Sequence, residues 1–214
     1  MTKDYLVVLD ACVLVGGGLR DTFLRLAETP RLYVPKWSDD IIREMSRTLD
    51  RKFAKTAGQI EYLCYELRRT FPEAWVTGYK DLEPSLRNHP KDRHVLAAAI
   101  RSGAQTIVTF NLKDFPREAL EMYDIEAVHP DEFLVNQFHL DDALVTSKFI
   151  QQAAAIGRTP ADQLRAFDRA GALPTFTRTL ADELSIDLAA EEEPAEPKAV
   201  TSYAEELVRV AKKK

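Results

Sequence analysis

Cysteine is scarce in this chain: Cys12 and Cys64 are the two present in 214 residues. Two thiols build no disulfide framework of the kind that holds small secreted domains together, and they fit the reduced thiols of a cytosolic protein. They do not make a zinc site by themselves, and no histidine spacing completes one. Long apolar runs are also missing. None approaches the ~20 residues needed to cross a bilayer. Residues 1–4 lead straight into the first apolar stretch and leave no room for a signal peptide. The expectation is a cytoplasmic protein with no membrane association. Excess positive charge is absent too: the formal net charge is −5. That argues against a broadly basic nucleic-acid coat but leaves local basic patches open. There is no internal repeat. What the chain does have is 45% hydrophobic residues, enough for one full domain with an appendage.

The chain is organised around Val7-Val8-Leu9-Asp10-Ala11-Cys12-Val13-Leu14, an apolar run with one carboxylate inside it. Such a run reads as a fully buried strand of a parallel sheet. Asp10 falls at or just past its carboxyl end, the edge where open α/β sheets bind ligands. Gly16-Gly17-Gly18 reads as a flexible turn before a helix over 20–28. Residues 32–35 form a short strand stopped by Pro35. Ser38 is an N-cap, with Asp39 and Asp40 favouring the dipole of the helix that follows. Helices are expected over 57–71 and 90–102, the latter closed by Gly103. Short strands are expected at 75–77, 106–109 and 125–128, and a short helix at 116–123. Strands alternating with helices imply a mostly parallel sheet covered on both faces. From Pro130 the strands stop, and helices are expected over 130–138, 141–156, 160–170 and 175–184. An acidic, proline-containing linker follows at 191–197. Residues 202–214 fit one amphipathic helix, with Tyr203, Leu207 and Val210 on a shared face.

Four carboxylates stand out. A buried Asp10 needs a partner, and a metal ion is one. Glu44 is roughly 60° from Ile41 around its helix and borders the apolar stripe, while Arg43 points to solvent; an ordinary solvated glutamate also fits that place. Asp92 shares a helical face with Val95, Leu96 and Ala99, and serves either as a first-turn cap or as a ligand. Asp114 lies in the loop after the strand at 106–109, where turn aspartates often cap the next helix. Together, three of these four acids fall beside the carboxyl edge of one parallel sheet, or at the start of a helix that returns from it. Hard oxygen donors in that number suit Mg²⁺ or Mn²⁺ rather than zinc. Without a cation they would repel, and at least one would hold its proton more tightly than usual.

The segments Val8-Leu9-Asp10-Ala11-Cys12-Val13-Leu14, Ser38-Asp39-Asp40-Ile41-Ile42-Arg43-Glu44-Met45, Pro90-Lys91-Asp92-Arg93-His94-Val95-Leu96-Ala97-Ala98-Ala99 and Thr109-Phe110-Asn111-Leu112-Lys113-Asp114-Phe115 occur in an order and spacing that resembles the PIN-domain ribonucleases. Within them the chain looks like the VapC-like toxins of toxin–antitoxin pairs. The resemblance covers roughly residues 5–135. It implies a three-layer α/β/α sandwich with a mostly parallel central sheet, extended here by a helical C-terminal region. The implied division is a nuclease domain over 1–137, a helical extension over 138–188, a linker over 189–201 and a terminal helix over 202–214. It matches Asp10, Glu44, Asp92 and Asp114 to the family's acidic quartet, with Ser38 and Asn111 at polar positions beside it. The chain departs from many relatives at Lys91, where an acidic residue is common.

The resemblance implies Mg²⁺-dependent (or Mn²⁺-dependent) hydrolysis of phosphodiester bonds in RNA of the tRNA or rRNA class. Asp10 and Asp92 are the expected direct ligands, Glu44 a ligand or a water-orienting group, and Asp114 the holder of a second ion. Lys91, Arg93, His94 and Lys113 flank the site as candidate phosphate contacts. His94 is roughly 160° from Asp92 around the helix and is not a candidate base. A cognate antitoxin and a homodimer are the implied partners. Three other readings fit parts of the pattern. They are a nuclease of RNA maturation or DNA repair on the same scaffold, a non-catalytic binding module, and an aspartyl-phosphate phosphatase. The last would carry a second aspartate where Cys12 stands.

Overall fold

A computed structural model describes residues 4–189 of the chain. The expected linker and terminal helix, at 191–197 and 202–214, lie outside the described residues. The described residues fall into two compact units, one ending at Pro130 and the other beginning at Asp131.

In the first unit, β1 (Leu6–Leu9) ends one residue before Asp10, and α1 (Ala11–Val15) begins one residue after it. The apolar run 7–14 is therefore a strand followed by a helix, and Asp10 is the N-cap between them. Every position remains buried or partly buried, so burial alone did not distinguish the two. The Gly16–Gly18 turn expected from the sequence is also helical: Gly16 is the N-cap of α2 (Gly17–Leu26). β2 (Val34–Ser38) runs through Pro35 instead of stopping there. Val34 donates its N–H to Tyr5 on the β1 side, so the Pro35 nitrogen faces the other way. There β3 (Trp75–Val76) pairs only with Trp37 and Ser38. The missing donor thus has no ladder position to leave empty.

α3 (Asp39–Phe53) starts as expected, with Ser38 Oγ accepting from the Ile41 N–H at 3.3 Å. α4 (Ala57–Thr70) begins with a capping box from Thr56 and Gln59. A single 3₁₀ turn, Pro90–Asp92, leads into α5 (Arg93–Ser102), which Gly103 closes at φ 70°. β4 (Thr106–Val108), α6 (Arg117–Leu120) and β5 (Glu126–Val128) complete the unit. The sheet order is β3-β2-β1-β4-β5, and every pairing is parallel. Helices cover it as in the expected α/β/α sandwich; α5 packs across β1, β2 and β4. Because β2 and β3 lie on one side of β1 and β4 and β5 on the other, the chain changes direction between β1 and β4. That is the switch point where such sheets form a crevice at their carboxyl ends.

The second unit is helical: α7 (Pro130–Leu140), α8 (Asp142–Ala155), α9 (Pro160–Ala170) and α10 (Pro174–Glu183). Phe133, Leu134, Phe149, Leu164, Phe176 and Leu180 form its core. α10 lacks a cap from its own N-cap residue, Leu173. The Asp131 carboxylate supplies one instead, accepting from the N–H groups of Thr175 at 3.0 Å and Phe176 at 2.8 Å. Asp131→Ala should therefore destabilise α10 by about 2 kcal/mol, the scale for charge-assisted bonds to helix-end N–H groups. Amide hydrogen exchange of residues 174–183 checks this. Protection equal to that of the parent chain would remove the role given to Asp131. Among the described residues no helix is long and apolar enough to cross a membrane.

Candidate metal centre

Asp10 is the most constrained member of the site, with only 3% of its surface exposed. Its Oδ1 accepts from the Ala11 N–H at 2.6 Å. Its Oδ2 accepts from the Thr109 hydroxyl at 2.6 Å and the Cys12 thiol at 3.2 Å. The Asp10 N–H donates to Val108 at 3.1 Å, so β1 and β4 are joined at the residue that carries the carboxylate. Burial, and then the Asp10 charge, push the Cys12 thiol up to about 12. Cys12 is thus a neutral donor at physiological pH, not a nucleophile.

Asp10 acts electrostatically on Glu44 and Asp92, and Asp114 on Asp92; among the described residues, the tight group of ligand atoms takes in Asp92 and Asp114 but not Asp10 or Glu44. Burial raises the proton affinity of Asp92, and the charges of Asp10 and Asp114 raise it further. Burial, then Asp10, raises that of Glu44; His94 opposes the shift and Asp92 adds to it. Three separate elements deliver these groups: α3, the Pro90–Asp92 turn and the 3₁₀ turn Leu112–Asp114. Among the described residues, neither of the two loop aspartates caps a helix through its side chain. Asp92 occupies the N-cap of α5 but makes no side-chain cap bond, and α6 is preceded by Pro116 with no side-chain cap.

The polar neighbours are distributed unevenly. Ser38 is fully buried, with its oxygen on the Ile41 N–H. Asn111 is exposed, and its N–H donates to Thr109 Oγ1 at 3.0 Å. Lys91 is exposed, whereas Arg93 is partly buried and its Nε has no partner among the described residues. His94 Nε2 lies 3.6 Å from Glu44 Oε2, beside the site but outside hydrogen-bond range.

One residue was missed in the sequence. His89 Nδ1 sits 3.2 Å from Asp92 Oδ2, and ligand atoms of His89, Asp92 and Asp114 all lie within 4.8 Å of one another. The main chain fixes this arrangement. His89 N–H donates to the Asp114 carbonyl at 3.1 Å, and Asp92 N–H donates to the His89 carbonyl at 2.9 Å. The available signal was His89-Pro90-Lys91-Asp92, a histidine one turn before an aspartate with proline opening the turn.

The PIN-domain family model matches residues 6–113, from β1 through the loop that carries Asn111. The chain belongs to the PIN-domain family. Among individual proteins, one from Mycobacterium tuberculosis named "Putative ribonuclease VapC50" is 57% identical over 67 residues, 31% of this chain and 40% of the relative. The matched stretch thus spans less than half of that relative's length. No solved structure matches the chain. The PIN match runs from the strand before Asp10 to one residue short of Asp114, so Asp10, Glu44 and Asp92 lie inside it.

Proposed function

We propose that this PIN-domain protein is a Mg²⁺- or Mn²⁺-dependent endoribonuclease and the toxin of a toxin–antitoxin pair. The observation that supports the reading is the electrostatic coupling of Glu44 to Asp10 and Asp92, and of Asp92 to Asp10 and Asp114, beside the switch point of a parallel sheet, with the proton affinity of Glu44 and Asp92 raised by burial and by carboxylate neighbours. A cluster that repels itself when empty fits a divalent cation, and its donors are the hard oxygens that Mg²⁺ and Mn²⁺ take. Asp10, Asp92, Glu44 and Asp114 would hold the ion or ions, with His89 at the edge. A bound cation supplies a water of lowered pKa and neutralises charge on the phosphate under attack.

The remaining work falls to the chain itself. Thr109, Cys12 and the Ala11 N–H lock the orientation of Asp10, so one ligand is pre-organised before anything binds. Ser38 serves the start of the helix that carries Glu44. Lys91, Arg93 and Asn111 are the candidate contacts for backbone phosphates. In this reading the substrate is RNA of the tRNA or rRNA class, and the working partners are a cognate antitoxin and a second copy of the chain. The setting is the cytoplasm, and the nuclease domain is followed by a helical extension, the boundary lying at the 130/131 division and not at 137, which falls inside α7. The name of the M. tuberculosis relative supports the ribonuclease assignment.

The deciding experiment incubates the full chain with total cellular RNA, with Mg²⁺ or Mn²⁺ and with EDTA. Discrete cuts that need the cation and map to defined ends are expected. An intact RNA pool, together with no Mn²⁺ binding by the folded protein, would transfer the chain to the binding-module reading. The same preparation tests His89. Imidazole suits Mn²⁺ better than Mg²⁺. His89→Gln should therefore weaken Mn²⁺ binding by about tenfold and leave Mg²⁺ binding nearly unchanged. Electron paramagnetic resonance of free Mn²⁺ and competition by Mg²⁺ measure both. Equal losses for the two ions would show that His89 only supports the Asp92 carboxylate.

A further inference from the structure

A groove of about 680 Å³ lies along α3 from Asp40 to Lys52, and Glu44 is part of its lining. One wall is α3; the other includes Glu83, Pro90, Lys91 and His94. Its charge is opposite to that of the chain. Arg43, Arg47, Arg51, Lys52 and Lys91 line it against Asp40, Glu44 and Glu83, in a protein of net charge −5. Asp40 is already occupied by Arg43, by Lys80 at 3.3 Å and by the Tyr79 hydroxyl at 2.6 Å. Glu44 is one of the proposed metal ligands. Among the described residues, Arg47, Arg51, Lys52 and Lys91 form no ion pair, and all four are exposed.

The spacing is regular. Arg43, Arg47 and Arg51 follow one another by four residues, so they stand in one row about 6 Å apart along the axis. Like charges at this spacing oppose helix formation. Arg51 and Lys52 are in the last turn of α3, where the dipole favours them. That account does not extend to Arg47, in the middle of the helix; its charge acts on the Glu44 carboxylate one turn earlier, which places it beside the carboxylates at this point of the groove. A row of guanidinium groups separated by about one nucleotide step matches the backbone of an extended single strand, the polymer that basic grooves of this type follow. An acidic peptide fits less well. Peptide grooves combine main-chain contacts with apolar pockets, and Pro90 is the one apolar residue lining this groove.

We propose that this groove is the track for a single-stranded RNA backbone, with Arg47, Arg51, Lys52 and Lys91 holding successive phosphates on one side of the bond to be cut. The inference rests on the nuclease reading and adds to it the path of the substrate. The strand passes along α3 and reaches the carboxylates at Glu44, so recognition on that side is by phosphate position and not by base.

The test uses the full chain, a fluorescent oligouridine and anisotropy in EDTA, with RNA integrity checked on a gel. The triple variant Arg47→Gln/Arg51→Gln/Lys52→Gln is compared with Arg117→Gln, an exposed arginine on α6 outside the groove. The triple variant should lower the slope of log affinity against log salt by ~2, at ~0.7 for each single-strand phosphate it no longer neutralises. Affinity at low salt should fall at least about tenfold, with Arg117→Gln unchanged. In the cleavage assay with metal, KM should rise by a similar factor and kcat stay within about twofold, the split expected when uniform binding is removed. Circular dichroism checks folding. An unchanged salt slope in a folded triple variant overturns the track and leaves the nuclease reading standing. Loss of polyglutamate binding with RNA binding intact would overturn it in favour of an acidic protein partner. Failure of the parent chain to cleave RNA with either metal is the separate failure of the nuclease reading.

Discussion

Asp10→Asn should fold normally and cleave RNA more than about a hundredfold more slowly than the parent chain, because even outer-shell changes at metal sites cost about 10–100-fold. The substitution removes one charge and almost nothing else. The amide oxygen still accepts the Ala11 N–H that Oδ1 accepts now. The amide NH₂ replaces Oδ2, which currently receives the Thr109 hydroxyl and the Cys12 thiol. A threonine hydroxyl can turn and accept where it donated, so the buried contacts survive the change of sign. Asp10→Ala is the contrasting case. It leaves the Ala11 N–H and the Thr109 hydroxyl without their partner in a buried place, at about 1–3 kcal/mol for each orphaned group. A loss of activity in that variant would mix folding with chemistry. Initial cleavage rates with saturating Mg²⁺, alongside thermal melts, separate the two. Cleavage by Asp10→Asn within tenfold of the parent would remove Asp10 from the metal site.

The second large effect is on stability. In the metal-free protein, burial and the charge of Asp10 raise the proton affinity of Glu44 and Asp92, and Asp114 adds to the shift at Asp92. The folded state then binds protons that the unfolded state has released. For a raised carboxylate the contribution to stability is fully present below the ordinary carboxylate range, about pH 4, and is lost as pH rises through the raised folded value. Metal-free protein at neutral pH thus carries electrostatic strain that a cation relieves. Mn²⁺ at a hundred times its dissociation constant adds about 2.7 kcal/mol, or a rise of about 5–10 °C in Tm for a chain of this length. Asp92→Asn should melt higher than the parent in EDTA at pH 7.5, and this advantage should shrink as pH falls toward 4. The variant should also lose most of the Mn²⁺ shift. Differential scanning fluorimetry of the two proteins across pH, with and without Mn²⁺, isolates the effect, since the other carboxylates are common to both. A parent Tm unmoved by Mn²⁺, or a variant less stable at every pH, would rule out a strained cation site.

Much of the arrangement was legible in the sequence because it is locally encoded. A carboxylate at the end of an apolar run, the Ser38 cap and Gly103 each act within a few residues. The PIN match and the all-parallel sheet agree with the alternating pattern read from the sequence. Three local features were misread. The run 7–14 has the same apolar composition on both sides of Asp10, so the change from β1 to α1 depends on Asp10 acting as an N-cap. Pro35 sits inside β2 because β3 is too short to reach it. Gly16–Gly18 begin a helix because α2 packs against α1. In the last two cases a neighbouring element overrides local preference.

By itself, the sequence determined the strand and helix order, the class of fold and the residue types able to hold a hard cation. Hydrophobic period, caps and breakers are short-range properties, and a carboxylate announces itself wherever apolar neighbours make it costly. Only the tertiary structure decided which groups share a charge field. Asp10 acts on Glu44 and Asp92, and Asp114 on Asp92, because strand order brings β1 and β4 together and a backbone bond ties His89 to Asp114. Likewise, Arg47 and Arg51 are two surface charges in the sequence. They become one wall of a groove when the turn at Pro90 and Lys91 is placed opposite α3. Electrostatic interaction depends on distance through space, and distances between residues far apart in the chain exist only once it has folded.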